Sequence, residues 1–234
     1  MDETELVKGK IITKGLLTER IVRLKIKNIE PMKVDYKTGQ YVTLRISESE
    51  HQPYYISNYL KEINAFEIVA DLKKDEPGTN YIKSVGVGDD LVYSHPQGEL
   101  LLDDNEEEYY FIAEGTYVSP FLAFLYQIDK SFKKPTIHMF WEVREEKELF
   151  LVNTIYAFST TTPSFSYDIF ISEGTSTIRH RPGRVIDALN TVQFKPGVKI
   201  CLCGESTMVG EASAILKTKG IPKENIIFEK IKSS

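Results

Sequence analysis

At 234 residues the chain can form one large domain or two modest ones, and its 41% hydrophobic and 27% charged residues are ordinary proportions for a folded globular protein. The 29 basic and 34 acidic side chains give a formal charge of -5, which argues against nucleic acid or an anionic membrane as the main partner. The first ten residues, MDETELVKGK, lack the apolar core of a signal peptide, and no run of about 18 apolar residues follows. We therefore expect a cytoplasmic protein with no membrane span.

The first half of the chain has the pattern of half-buried strands. From residue 7 to about residue 98, apolar and polar residues mostly alternate, with the period of two that a strand requires. Turn signals rich in Gly, Pro, Asn and Asp separate these runs, as at 38–40, 76–78 and 95–98. Short strands at this spacing favour an antiparallel β-barrel, because closing the sheet removes its exposed edges.

An acidic stretch at residues 103–108, DDNEEE, ends this pattern. We place the domain boundary there, so that the predicted domains cover residues 1–103 and 109–234. In the second domain, apolar runs such as 109–113 and 199–203 alternate with helix-length segments. This order is typical of an α/β domain with a parallel sheet covered on both faces.

Two expected strands of the second domain run into a glycine turn and then a helix. The turns lie at 113–116 and at 203–205, which read AEGT and CGE. In an open parallel sheet such turns follow the carboxyl ends of strands, where backbone amides and a helix N-terminus attract phosphate. One such turn is more often a plain connection, whereas two on the same sheet indicate a nucleotide site.

A set of motifs occurs in a fixed order along nearly the whole chain. The motifs are 39–42 (GQYV), 52–58 (QPYYISN), 77–81 (PGTNY) and 88–98 in the first half, and 113–120 (AEGTYVSP), 142–149, 183–185, 203–209 and 228–229 in the second. In order and spacing these motifs resemble the ferredoxin-NADP reductase family. The resemblance implies a flavin-binding β-barrel at 1–103 and an NAD(P)-binding α/β domain at 109–234. It also implies a reductase that transfers a hydride from NADH or NADPH to FAD and passes electrons to a ferredoxin, a flavodoxin or another acceptor.

The resemblance assigns roles to individual residues. Tyr54 matches the aromatic residue that packs on the flavin ring, Cys203 the thiol beside the reacting rings, and Glu229 a carboxylate near them, so these three are the catalytic candidates. The cofactor-binding candidates are Gln52, Pro53, Tyr54, Tyr55, Ile56, Ser57, Gly78, Thr79 and Asn80 for the flavin, and Gly115, Thr116, Arg144, Ser172, Arg184, Cys203 and Gly204 for the nicotinamide nucleotide. No cluster of His, Cys, Asp and Glu has the spacing of metal ligands, so we expect no metal site.

Each of these candidates also has a purely structural interpretation. Tyr54 and Tyr55 are also typical of strand residues that pack a barrel, and Glu229 of an ordinary solvated carboxylate. Cys203 is also typical of an inert buried thiol, and since it lies two positions after Cys201 on an expected strand, the two share a face with poor geometry for a mutual disulfide. A reducing compartment fits these cysteines best.

Several positions depart from the family pattern. Where the family has Arg-x-Tyr-Ser, this chain has Gln52 and Tyr55, and loss of the Arg removes a charge-assisted contact to the flavin phosphates worth about 1.5 to 3 kcal/mol. Tyr117 and Glu205 replace a Gly and a Pro of the nucleotide turns, and Glu205 places a negative charge where phosphates are expected. We therefore expect weakened flavin binding. The alternative is a degenerate module that binds or regulates without catalysis.

The choice between NADH and NADPH stays open. Glu173 follows an expected strand that ends near Ser172, and a carboxylate there prefers the ribose hydroxyls of NADH and repels a phosphate. Arg144 and the basic residues of the segment 176–184, STIRHRPGR, would instead attract the extra phosphate of NADPH. That segment is equally consistent with a solvated loop.

Overall fold

The structure is a computed structural model, and it describes residues 6–30, 35–73, 75–102, 106–128, 135–174 and 180–229. The described residues form two compact units. The first contains 6–102 and 119–124, and the second contains 106–118 and 125–229, apart from the gaps already named. The boundary expected near residue 103 falls on residues outside the described ones, so the domain limits 1–103 and 109–234 stay predictions.

The first unit contains a closed six-stranded antiparallel barrel with the strand order β1-β2-β5-β4-β3-β6. The alternation in the sequence accounts for this sheet, because Val22, Leu24 and Ile26 are buried in the barrel core while Arg23 and Lys25 between them are half-exposed. The expected antiparallel barrel is therefore confirmed. Its strands are β1 (Leu6–Leu16), β2 (Ile21–Asn28), β3 (Tyr41–Arg45), β4 (His51–Leu60), β5 (Ala65–Asp71) and β6 (Asp90–Ser94).

Helix α1 (Pro77–Ser84) is anchored to this barrel at its C-terminal end. Ile82 belongs to the barrel core. Lys14 of β1 donates hydrogen bonds from Nζ to the carbonyl oxygens of Ile82 at 2.8 Å, Lys83 at 3.2 Å and Val85 at 2.5 Å. A cation is favourable at a helix C-terminus, where the carbonyl groups lack partners within the helix. Lys14 therefore helps to set the direction in which α1 lies.

The second unit contains a six-stranded parallel sheet with the order β10-β9-β8-β7-β11-β12. The expected parallel α/β arrangement is confirmed. The strands are β7 (Glu108–Glu114), β8 (Thr136–Val143), β9 (Phe165–Ile171), β10 (Arg181–Pro182), β11 (Lys199–Cys203) and β12 (Ile226–Phe228). The helices that follow β7 in the chain are α2 (Ser119–Ile128), α3 (Val152–Thr161), α4 (Val185–Thr191) and α5 (Ser206–Thr218).

Both faces of the parallel sheet are buried. On one face Ile112 and Leu202 pack with Leu189 of α4 and Leu216 of α5 in a single apolar cluster. Residues that point to the opposite face, such as Phe111, are also fully buried. This double burial explains why the strands are continuous apolar runs rather than alternating ones. Within the described ranges, no helix has the length and apolar character needed to cross a membrane.

Replacement of Lys14 by Met tests the anchor of α1. The variant keeps most of the aliphatic side chain but removes the charged donor to three carbonyl groups, so we expect the free energy of unfolding to fall by about 1 to 2 kcal/mol. Urea unfolding followed by circular dichroism measures this change. Lys8→Met is the matched control, since Lys8 is exposed on the same strand. An equal effect of the two substitutions would contradict the anchoring role.

Candidate functional site

The residues predicted for flavin binding at 52–57 lie on β4. Strand β3 pairs with this strand so that Leu44 lies beside Gln52 and Val42 beside Tyr54. Leu44 and Val42 are core residues of the barrel. Because alternate strand residues share a face, Gln52 and Tyr54 lie on the core side of the sheet and Tyr55 on the other side.

Gln52 lies against the start of α1. A Cβ atom at Gly78 would be 2.8 Å from Cγ of Gln52 and 3.2 Å from its Oε1, so only a glycine permits this approach. The amides of Gly78 and Thr79 are in the first helical turn, where no carbonyl group four residues earlier belongs to the helix. Backbone amides at a helix start attract a pyrophosphate, and in this structure Gly78 and Thr79 are both buried, with Gln52 against Gly78. The nearby side chains are less suitable, because Gln52 is neutral and Glu76, at the N-cap, is acidic.

Thr79 and Asn80 also make contacts of their own. Thr79 is buried and its hydroxyl donates to the carbonyl oxygen of Asp71 at 3.4 Å. The Asn80 side-chain amide donates to Oδ1 of Asp75 at 2.7 Å. Thr79 therefore contributes its backbone amide to the helix start, while its hydroxyl is directed into the fold.

The two adjacent tyrosines have different surroundings. Tyr54 is half-buried and packs against the barrel core, and burial raises its pKa, with a further increase from the charge of Glu76. Tyr55 is 7% exposed and packs edge-on against Tyr41, with ring centroids 6.0 Å apart and an interplanar angle of 80°. Tyr54 thus packs on the barrel core and stays partly exposed, whereas Tyr55 is buried against Tyr41 of the neighbouring strand.

Of the remaining three residues of this segment, two are buried and one is half-buried. Ile56 is fully buried in the barrel core. The Ser57 hydroxyl donates to the carbonyl oxygen of Glu67 at 3.1 Å, and Pro53 is half-buried beside Thr43. The roles of Pro53, Ile56 and Ser57 in flavin binding stay predictions.

In the second unit, the first glycine turn begins where β7 ends. Gly115 has a φ of +53°, a backbone conformation that L residues rarely adopt, and residues 115–118 form one 3₁₀ turn that includes Thr116. Trp141, which is fully buried on the neighbouring β8, donates from Nε1 to the carbonyl oxygen of Gly115 at 2.9 Å. This bond ties the turn to the interior of the unit.

The second glycine turn begins where β11 ends. Cys203 is a buried cysteine outside any disulfide. A Cβ atom at Gly204 would overlap the end of the Met208 side chain and lie 3.3 Å from the side chain of Glu114. Glycine therefore permits the two turns to approach each other. Leu202 pairs with Phe228, so Cys203 and Glu229 are the next positions on adjacent strands, at the same carboxyl edge of the sheet.

Arg144 and Ser172 lie side by side at the ends of β8 and β9. The Ser172 amide donates to the carbonyl oxygen of Val143 at 3.0 Å, and the Glu173 amide donates to the carbonyl oxygen of Arg144 at 2.8 Å. The Arg144 side chain is exposed. The structure thus brings together the residues predicted to determine the choice between NADH and NADPH.

The other basic residues near this edge have acidic partners. Arg184 precedes α4 and its Nη2 lies 2.9 Å from Oε2 of Glu211. Arg181 Nε lies 2.9 Å from Oδ1 of Asp168, and His180 Nε2 lies 3.4 Å from Oε1 of Glu146. Arg179 and the rest of 175–179 are outside the described residues. The described basic residues of the segment therefore form ion pairs with acidic side chains of the protein, which reduces their attraction for a phosphate.

Two acidic residues that the sequence analysis overlooked lie at this edge. Glu142 is buried, and its Oε2 accepts a hydrogen bond from the Val185 amide at 2.8 Å, at the start of α4. Glu114 Oε2 accepts from the Glu205 amide at 3.4 Å, just before α5. The sequence feature that could have identified them is an acidic residue at the end of an apolar strand, in FWEV at 140–143 and in IAEG at 112–115.

Glu114 is in an environment that disfavours its charge. Burial raises its pKa most, and the charge of Glu205 raises it further, whereas the hydrogen bond from the Glu205 amide lowers it. Glu142 adds a smaller increase and Arg144 a smaller decrease, and the net shift is upward. Within the described parts of the chain, no group of three or more His, Cys, Asp or Glu side chains is placed to hold a metal ion.

Comparison with known proteins agrees with these features. Residues 111–214 match the family described as the oxidoreductase NAD-binding domain. The chain is 27% identical over 223 residues to the toluate 1,2-dioxygenase electron transfer component of Pseudomonas putida, covering 93% of this chain and 65% of that protein. It is 25% identical over 229 residues to the propane 2-monooxygenase reductase component of Rhodococcus jostii, covering 93% and 61%. The chain spans less than two thirds of the length of these relatives.

Solved structures show the same fold. The cytochrome P450 reductase GcoB of Amycolatopsis superimposes with a TM-score of 0.86 at 19% identity, covering 96% of this chain and 69% of that one. A ferredoxin NADP+ reductase from Neisseria gonorrhoeae, solved with bound FAD and NADP, gives 0.85 at 19% identity, covering 97% and 99%. These structures share the fold of an antiparallel barrel followed by a parallel α/β sheet. The resemblance to the ferredoxin-NADP reductase family is confirmed, and the second unit carries an oxidoreductase NAD-binding domain.

The only tryptophan of the sequence, Trp141, reports on the first glycine turn. Its indole donates a hydrogen bond to Gly115, so it lies beside the turn where we expect the nucleotide. We expect its fluorescence to fall when NADH binds, because the reduced nicotinamide absorbs in the region of tryptophan emission. A titration with NADH measures this effect, and NAD+, whose nicotinamide does not absorb there, is the control. An unchanged emission at NADH concentrations that equilibrium dialysis shows to be saturating would contradict the placement of the nucleotide near this turn.

Proposed function

We propose that the chain is a reductase that transfers a hydride from NADH or NADPH to FAD and passes the electrons to a carrier protein, such as a ferredoxin or flavodoxin, or to a small acceptor. The names of its relatives, an electron transfer component of a dioxygenase and a reductase component of a monooxygenase, support an acceptor that belongs to an oxygenase system. Since neither cysteine forms a disulfide, we place the protein in the cytoplasm.

The observation that carries this proposal is the match of residues 111–214 to the oxidoreductase NAD-binding domain. That segment contains both glycine turns, and each turn follows the carboxyl end of a parallel strand. The turns therefore lie where open parallel sheets bind their ligands.

In the second unit, the turn backbones at Gly115 and Gly204 would approach the nucleotide phosphates, and the exposed Arg144 would supply a positive charge to them. Ser172 and Glu173 would bind the ribose hydroxyls, which favours NADH over NADPH. Cys203 and Glu229 share the carboxyl edge of the sheet, and we place them near the reacting nicotinamide.

In the first unit, the amides of Gly78 and Thr79 would bind the flavin pyrophosphate, and the Gln52 amide group would donate a neutral hydrogen bond in place of a charged one. The half-buried ring of Tyr54 would pack on the flavin ring. When bound, the flavin supplies the capacity to accept a hydride and to release its electrons to an acceptor. The protein supplies binding, orientation and protection from water.

A degenerate module that binds without catalysis is the second candidate. Gln52 favours it, because the helix start at Gly78 lacks the Arg of the family pattern. Glu114 and Glu142 favour it as well, since their carboxylates accept hydrogen bonds from amides next to α5 and α4. These features predict weak binding of both anionic cofactors.

Replacement of Gln52 by Arg distinguishes the two candidates. We expect the wild-type protein to bind FAD weakly and the variant to bind it about 10-fold more tightly, because a charge-assisted contact is roughly 1.4 kcal/mol stronger than a neutral one. FAD titration followed by flavin fluorescence measures the affinity. Loss of the visible flavin absorption after anaerobic addition of NADH measures hydride transfer.

The structure also determines how this experiment is designed. Tyr55→Ser is omitted, because it would remove a buried aromatic ring that packs against Tyr41. Gln193→Arg is the matched control, since it adds the same charge at an exposed position of the second unit. If neither the wild type nor Gln52→Arg binds FAD, the reductase proposal is wrong and the degenerate module stands.

A further inference from the structure

Glu114 lies between the two glycine turns of the second unit. It is the last residue of β7, directly before Gly115, and a Cβ atom at Gly204 would be 3.3 Å from both its Cβ and its Oε2. Its Oε2 accepts a hydrogen bond from the Glu205 amide at 3.4 Å. One side chain therefore contacts the backbone of the second turn from the end of the first.

The Glu205 amide is a group that an anionic ligand would otherwise use. Glu205 is the N-cap of α5, a helix of 13 residues that begins at Ser206. Amides at such a position, together with the helix dipole, stabilise a nearby negative charge. In this chain the negative charge comes from the protein itself. A nucleotide phosphate that approaches the second turn meets a carboxylate instead of an available amide.

The charge of Glu114 is poorly compensated by its neighbours. Residues Glu114 and Glu142 are register partners on β7 and β8, so two carboxylates lie on adjacent strand ends. Burial and the charge of Glu205 both raise the pKa of Glu114. The titratable groups on the elements beside Glu114 are Glu142 and Arg144 on the β8 side, Cys203 and Glu205 on the β11 side, and Tyr117 in the following turn.

We propose that Glu114 determines the affinity of the second unit for the anionic nicotinamide nucleotide: the ionised carboxylate holds the Glu205 amide and repels the phosphates, and protonation of Glu114 admits them. This inference rests on the proposed function, which supplies the nucleotide. It adds that binding takes up a proton at Glu114, so the affinity for the nucleotide rises as the pH falls. The ionised carboxylate would weaken binding even where the backbone turns are correctly formed.

The direct test is isothermal titration of the full chain with ADP-ribose between pH 5.5 and pH 8. ADP-ribose has the pyrophosphate but not the redox-active ring, so the measurement reports binding rather than activity. For the wild type we expect the dissociation constant to fall severalfold from pH 8 to pH 5.5, because binding takes up a proton at Glu114. For Glu114→Gln we expect the tighter value at pH 8 and little dependence on pH.

Glu224→Gln is the matched control. It removes the same charge from an exposed residue in the turn that precedes β12, at the amino edge of the parallel sheet. We expect it to bind ADP-ribose like the wild type at every pH. If Glu114→Gln fails to fold, Glu205→Gln replaces it: loss of that neighbouring charge would shift the pH dependence of the wild-type affinity to lower pH.

Thermal unfolding without nucleotide gives a second readout. A carboxylate whose pKa is raised by folding contributes stability while it is protonated, and this stability is lost as the pH rises through its folded pKa. The wild type should therefore melt at a lower temperature than Glu114→Gln at pH 8, by roughly 2 to 4 °C, and the difference should shrink toward pH 4.5.

The outcomes separate this inference from the proposed function. If ADP-ribose binds equally to the wild type and Glu114→Gln at pH 8, the role of Glu114 is wrong and the nucleotide site stands. If no variant binds ADP-ribose at any pH, although Glu114→Gln shows the expected gain in melting temperature, the nucleotide site itself is wrong, and the inference fails with it.

Discussion

Backbone amides at helix starts require acceptors, and at the carboxyl edge of the parallel sheet the protein supplies some of these acceptors itself. The Glu142 carboxylate accepts from the first amide of α4, and the Glu114 carboxylate accepts from the amide before α5. Both bonds join a strand end to the helix start that would otherwise receive an anionic ligand. The carboxylates that join these strand ends to the helix starts therefore also weaken the attraction of this edge for phosphates.

In the barrel, too, the start of a helix lies beside side chains that carry no positive charge. Gly78 permits Gln52 to lie against the start of α1, and Lys14 anchors the other end of that helix. The helix start proposed to bind a pyrophosphate therefore lies beside Gln52, which is neutral, and Glu76, which is acidic. In both units the proposed cofactor sites combine backbone amides at helix starts with neutral or acidic side chains.

Particular residues show how far the sequence analysis reached. The sequence places Tyr54 and Tyr55 in one motif, but it left the packing of Tyr55 open, because its aromatic partner, Tyr41, comes from another strand. The basic residues of the segment 176–184 were expected as a phosphate clamp or a solvated loop, and the described ones make ion pairs with residues distant in the chain. Glu114 and Glu142 were missed because their amide partners lie 91 and 43 residues away.

The sequence by itself determined the antiparallel barrel and the parallel α/β sheet. Alternation predicts a half-buried barrel, continuous apolar runs predict a doubly covered parallel sheet, and glycines mark the turns at strand ends, because each of these signals is local. Only the tertiary structure decided the electrostatics of the candidate site. Whether a carboxylate at a strand end is solvated, capped by a helix amide or buried beside another carboxylate depends on partners that folding brings from distant positions, and those partners determine its charge.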